Sequence, residues 1–139
     1  MINNVNMNEN YNVSNVSNVQ KFVNWIADSN NIVFFGGAGV STESGIPDFR
    51  SVDGLYHQKY DFPPETILSY SYFQFDPDKF YEFYRDKMLY LDAKPNVTHE
   101  KLSKLESDGK LKTIITQNID GLHQKAGSNH VLELWLRTS

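Results

Sequence analysis

Residues 32–51, IVFFGGAGVSTESGIPDFRS, open with four apolar side chains and then turn abruptly small and polar. Ile32, Val33, Phe34 and Phe35, bounded by glycine, read as a buried strand of a parallel sheet. Gly36, Gly37, Ala38 and Gly39 let the backbone turn sharply and approach a ligand closely. Ser41, Thr42, Glu43 and Ser44 suit the start of a short helix. Strand, glycine turn and helix start together aim backbone N–H groups at a phosphate. The dinucleotide fingerprint is incomplete, because Thr42 stands where a third glycine belongs and Asp48 and Asp53 fall in a loop after Pro47. At this point a nucleotide site and a ligand-free glycine turn both remain open.

Upstream, eight asparagines in the first eighteen residues predict a disordered tail over 1–13, either dispensable or a functional Asn-rich tract. Ser17 and Gln20 have capping-box spacing, and Val19, Phe22, Val23 and Ile26 form one apolar face. The spacing predicts a helix to about Ser29 that packs on the sheet. Downstream, a helical insert spans about 54–94. Pro64-Glu65-Thr66 starts a short helix, and Asp76-Pro77 starts a longer one that carries Phe80, Phe83, Tyr84 and Met88 to about Leu91. This aromatic stripe reads as core, with a lipophilic or peptide groove as the other reading. Asn96 or Thr98 caps a helix with His99, Leu102 and Leu105, closed by Gly109. Residues 111–116, LKTIIT, read as a second strand, followed by Gln117, Asn118, Ile119 and Asp120. A helix through Leu122 and Ala126 stops at Gly127, and Val131 to Leu136 is a third strand. The alternation predicts an α/β fold with a doubly wound parallel sheet. The glycine turn, the 117–120 cluster and the end of the third strand should then meet beyond the carboxyl ends of the strands.

Composition narrows the function classes. The chain has 139 residues, enough for a core, and a net charge of −4, which leaves no footprint for nucleic acid or an anionic membrane. No apolar run spans a bilayer and no signal pattern opens the chain, so the expectation is a cytoplasmic protein. With no cysteine, disulfides and thiolate metal sites are ruled out within these residues, and no metal ligands are assigned.

GAGVSTESGIPDFRS, taken with TQNIDGLHQKAG, resembles the sirtuin family of NAD-dependent protein lysine deacetylases and deacylases. The similarity runs from about Val19 to Leu134 and includes PNVTHEKLSKLE, which makes this chain resemble an N-terminal piece of such a protein. The resemblance implies a partial Rossmann-like sheet with NAD as cofactor and an acyl-lysine protein or peptide as substrate. The products would be nicotinamide and O-acyl-ADP-ribose. It also implies roles for individual residues. Ala38 and Gly39 would lie under the pyrophosphate with Thr42 beside it, and Ile46, Asp48 and Phe49 would form the nicotinamide pocket. Arg50 would face the phosphates or reaction centre, while Gln117, Asn118, Ile119 and Asp120 would hold nicotinamide and its ribose, Asn118 being the catalytic residue among them. Backbone amides and a guanidinium suit a diphosphate, and amide and carboxylate side chains suit ribose hydroxyls and a carboxamide.

The family's general base is a histidine in a Glu-Leu-His-Gly motif. Here Glu133 and Leu134 are followed by Trp135 and Leu136, and an indole cannot accept a proton. The paired zinc cysteines and later strands of many relatives do not occur before Ser139. The expectation is therefore a truncated, inactive member, with a non-catalytic NAD- or ADP-ribose-binding fragment as the alternative. His57, His99, His123 and His130 are expected to be structural or solvent-exposed. A half sheet should leave an apolar face uncovered, making the chain marginally stable, prone to aggregate, or dependent on another chain.

Overall fold

A computed structural model describes residues 7–52, 54, 55 and 60–134. Strands β1 (Ile32–Gly36), β2 (Leu111–Thr116) and β3 (Val131–Glu133) form a three-stranded parallel sheet in the order β1-β2-β3. Strands β1 and β2 follow the apolar and β-branched runs that mark them in the sequence. The third was expected to reach Leu136, but residues 135–139, including Trp135 and Leu136, lie outside the described residues, as do Asp53 and His57. Gly36, Thr116 and Glu133 stand in one row at the carboxyl edge.

Helix α5 (Val97–Ser107) covers one face of the sheet, where Leu102, Leu111 and Ile114 are buried against Ile32, Phe34, Leu105 and Val131. Among the described residues nothing covers the other face. Phe35, Ile115 and Leu132 are neighbours across the three strands, yet Phe35 is 63% and Leu132 55% exposed. Exposed apolar rows of this kind drive self-association. We expect Phe35→Thr to lower self-association in sedimentation at high concentration. It should change stability by no more than ~0.5 kcal/mol, since little of the ring is buried.

The N-terminal helix corrects two expectations. Helix α1 runs Met7–Asp28, so part of the tail expected over 1–13 is helical from Met7, and residues 1–6 lie outside the described residues. A helix nucleated by its better-patterned half extends at one hydrogen bond per residue, which outweighs the weak propensity of asparagine. Nor does its apolar face pack on the sheet, because Phe22 and Trp25 are more than half exposed. The join is polar. Lys110 Nζ donates to the carbonyls of Ile26 (3.1 Å), Ala27 (2.6 Å) and Ser29 (3.2 Å), a cation satisfying carbonyls at and just past the helix end.

The insert holds α2 (Pro64–Ile67), α3 (Tyr70–Phe75) and α4 (Pro77–Lys87). Asp76 caps α4 as its sequence demands, accepting from the Lys79 amide at 3.1 Å. Helix α4 ends at Lys87, earlier than the pattern suggested, and α3 is an element the pattern did not mark. Ile67, Tyr72 and Phe83 form a second small core ringed by Tyr60, Leu68 and Phe80, so the aromatic stripe is core along one side. The remaining helix, α6 (Leu122–Lys125), follows β2 and stops before Gly127, whose φ of 100° only glycine adopts readily.

Candidate functional site

Two segments leave the carboxyl edge of the sheet side by side. After β1 the chain enters a 3-10 helix, Ala38–Ser44, ended by Gly45 at a φ of 81°. After β2 comes the run Gln117 to Asp120. Four contacts stitch them together. Gln117 N donates to Gly36 O (3.3 Å), and Asn118 Nδ2 donates to Gly37 O (3.1 Å) and Ser41 Oγ (3.1 Å). Ser41 Oγ in turn donates to Asp120 Oδ2 at 2.7 Å. The other carboxylate oxygen, Oδ1, accepts from Leu122 N at 2.9 Å, starting α6. The expected meeting of the glycine turn and the 117–120 cluster is therefore observed.

The two segments frame a cleft of two adjoining parts, which share Ala38, Phe49 and Gln117 as lining. Its inner part, about 100 Å³, is lined by Ala38, Ser41, Ile46, Phe49, Gln117, Asn118, Ile119 and Asp120. Leu55, Lys87, Met88 and Tyr90 close its far wall. Its outer part, about 310 Å³, is lined by Gly37, Ala38, Asp48, Phe49, Arg50 and Gln117. Nine of the eleven residues singled out in the sequence thus line the cleft. Gly39 and Thr42 lie on the turn but line neither part; Thr42 Oγ1 is turned to Gly39 O at 3.0 Å. Ser41 is 1% exposed and central to the stitching, yet a lone serine in a helix start carries no mark of it. Lys87, Met88 and Tyr90 come from the insert, which no local pattern connects to the glycine turn.

Asp48 organises the loop that closes the outer part. Its Oδ1 accepts from Ser51 N (2.8 Å), and its carbonyl accepts from Leu55 N (2.8 Å). The side-chain bond to Ser51 holds its carboxyl below the usual carboxylate range. Gly54 makes that loop possible. A Cβ there would stand 2.8 Å from Asp48 Oδ1, 2.8 Å from Phe49 C and 2.9 Å from Arg50 N, two of which are backbone. We expect Gly54→Ala to displace residues 48–50 and weaken cleft binding about tenfold, as read by calorimetry, the equivalent of ~1.4 kcal/mol.

Behind Asp120 lie two buried imidazoles. His99 on α5 and His123 on α6 are 0% and 1% exposed, with ring centroids 4.7 Å apart. His99 Nδ1 accepts from Asn96 N at 3.2 Å, so a histidine fills the capping-box position usually held by Glu or Gln. His99 Nε2 and both nitrogens of His123 have no hydrogen-bond partner among the described residues. Burial pushes both imidazoles down from their ordinary value, with Asp120 opposing the shift and His99 adding to it at His123. His130 is exposed and paired through Nδ1 to Glu106 Oε1 at 2.7 Å.

Chemically, the inner part offers apolar walls beside amide and carboxylate groups, and the outer part offers small residues beside a guanidinium. That donor set fits a flat carboxamide-bearing ring and its sugar at one end and a diphosphate at the other. Among the described residues no group of three or more His, Asp or Glu is placed to hold a metal ion.

Comparison with known proteins gives concordant results. The model of a family described as the Sir2 family matches residues 37–136. An NAD-dependent protein deacetylase of Clostridium acetobutylicum is 60% identical over 111 residues, covering 78% of this chain and 45% of the relative. One from Clostridium perfringens is 58% identical over 118 residues, covering 84% and 48%. Among solved structures, a Sir2 enzyme is similar with a TM-score of 0.75 and 47% identity, over 84% of this chain and 45% of that one. A Sir2 protein bound to acetylated peptide gives 0.69 and 40%, over 83% and 44%. A Sir2 homologue variant in complex with ADP-ribose gives 0.74 and 42%, over 82% and 45%. The chain spans about half the length of the curated relatives it matches.

Proposed function

This chain belongs to the Sir2 family, and on that premise we propose that its cleft binds NAD in the service of protein lysine deacylation. The supporting observation is the stitching of Ser41 to Asp120 and of Asn118 to Gly37, which holds two distant segments on one cleft. Arg50 and the backbone of Gly37, Ala38 and Gly39 would hold the diphosphate, with Thr42 beside them. Ile46, Asp48, Phe49, Gln117, Asn118, Ile119 and Asp120 would hold the nicotinamide and its ribose. When bound, NAD supplies a ribose carbon made electrophilic by a departing pyridinium. The chain's own contribution is orientation and exclusion of water. Asn118 has both amide protons committed to Gly37 and Ser41, so its Oδ1 is left to accept from a ribose hydroxyl. Phe49, Met88 and Ile119 keep water from the inner end.

The substrate proposed is an acyl-lysine peptide, with nicotinamide and O-acyl-ADP-ribose as products. Binding without turnover is the second reading. It is favoured by Trp135, an indole at the position where the family resemblance expects the proton acceptor. A structural zinc is proposed only for parts of relatives beyond the matched region. A cytoplasmic setting belongs to the same proposal; no helix among the described residues is long and apolar enough to cross a membrane.

Calorimetric titration with ADP-ribose tests the cleft, and nicotinamide release from NAD with an acetyl-lysine peptide tests the chemistry. We expect heat of binding and little or no turnover. A folded chain that takes up no ADP-ribose at millimolar concentration would overturn the NAD reading. Turnover at a rate typical of enzymes would overturn the second reading.

A further inference from the structure

We infer that Asn96 is a positioning residue for the cofactor turn, a role that rests on the NAD reading above and goes beyond its duty as a helix cap. The cap uses only its oxygen. Asn96 Oδ1 accepts from Thr98 N (2.9 Å) and His99 N (3.4 Å), a task that serine, threonine or aspartate performs as well. Its nitrogen faces the other way. Asn96 Nδ2 donates to Val40 O at 2.8 Å and to Ser44 Oγ at 3.1 Å, acceptors 56 and 52 positions distant in sequence. Both protons and the oxygen of the amide are thus committed, which only an amide can do from this position.

The acceptors say what the bridge is for. Val40 and Ser44 lie within the 3-10 helix Ala38–Ser44, whose internal hydrogen bonds are poorer than those of an α-helix. Most of that segment is exposed or half-buried, so little apolar packing fixes its shape. Its first half is held from β2, through Asn118 on Gly37 and Asp120 on Ser41. Its second half is held from α5, through Asn96. Directly after Ser44 comes Gly45, where the chain turns through a positive φ into the segment carrying Ile46, Asp48 and Phe49. Releasing Val40 and Ser44 therefore frees the junction between the diphosphate end and the nicotinamide end of the cleft.

Cap and bridge can be separated by mutation. Asn96→Ser keeps a capping oxygen but has no second donor and is too short to reach Val40. Asn96→Ala loses both. Hydrogen–deuterium exchange on the unliganded chain reads the bridge directly, since Gly45 N and Ile46 N donate to Thr42 O and Ser41 O. In Asn96→Ser we expect these two amides to exchange about tenfold faster, with the amides at the start of α5 as in the wild type and the melting midpoint lowered only by the lost bridge. Asn96→Ala should show the same acceleration together with a further lowered midpoint and faster exchange at the start of α5. The ADP-ribose dissociation constant should rise severalfold, because a turn freed at Val40 and Ser44 presents its amides to the diphosphate in the competent shape for a smaller share of the time.

Unchanged exchange at Gly45 and Ile46 in Asn96→Ser overturns the bridge. Faster exchange with unaltered ADP-ribose affinity overturns its role in the site. A wild-type chain that binds no ADP-ribose refutes the NAD reading instead, and with it the positioning role, while the exchange comparison still decides the bridge.

Discussion

Asp120→Ala raises the ADP-ribose dissociation constant about a hundredfold or more and lowers the melting midpoint by several degrees. Both effects come from one carboxylate. Oδ2 accepts from Ser41 Oγ and Oδ1 from Leu122 N, so alanine strands two donors in a region where Ser41 and Leu122 are 1% and 0% exposed. Each stranded buried group costs about 1–3 kcal/mol, and the pair is a large share of the ~5–15 kcal/mol that holds a domain together. The binding loss adds a second part, because releasing Ser41 loosens the turn that Asn118 also grips. Asp120→Asn separates the two. Its oxygen still accepts from Leu122 N, and Ser41 Oγ can accept instead of donate, so the fold is largely kept while the charge is lost. Calorimetry and thermal unfolding on both variants check this; equal binding by wild type and Asp120→Asn would show that the charge is not used.

The second large effect is acid sensitivity. His99 and His123 are held below their ordinary value of 6.5, chiefly by burial. Above that value both states are unprotonated and stability is at its full level. As pH falls below 6.5 the unfolded chain takes up protons that the folded chain refuses, so stability falls continuously toward the folded-state values. We expect the melting midpoint to drop between pH 7.5 and pH 5. Glu106 acts in a different window. Burial pushes its carboxyl up, but bonds from His130 and Asn129 outweigh this and leave it below 4.5, so its contribution is lost only at lower pH. His123→Leu should flatten the slope above pH 5 while leaving neutral-pH stability unchanged or raised by ~1 kcal/mol. It removes two nitrogens that have no partner among the described residues from a site beside Phe34, without opening a hole. A slope identical to wild type would show that the imidazole pair is not the source.

What was legible in the sequence was what local chemistry decides. The run Ile32 to Phe35, bounded by glycine, could hardly be anything but a strand, and LKTIIT and the Asp76-Pro77 start were as plain. The cleft was legible because strand ends in a parallel sheet converge whatever the side chains are. The features that escaped depend on distance. Ser41 matters only because Asp120 lies opposite, and Tyr90 lines the cleft only because the insert folds back. The burial of His99 and His123 is a property of α5 meeting α6, not of either segment. Helix α1 was misread in the opposite sense: its apolar stripe is real, but the sheet face it seemed made for stays bare.

Lys110 gives that helix an unusual mechanical standing. Among the described residues, the side-chain hydrogen bonds joining α1 to the body all come from one ammonium group at its last turn. A rod of 22 residues is about 33 Å long, so a swing of ~10° at this joint carries its tip through ~6 Å. Among the described residues the set of that mast thus rests on one side-chain pivot, and neutralising Lys110 is expected to let it swing.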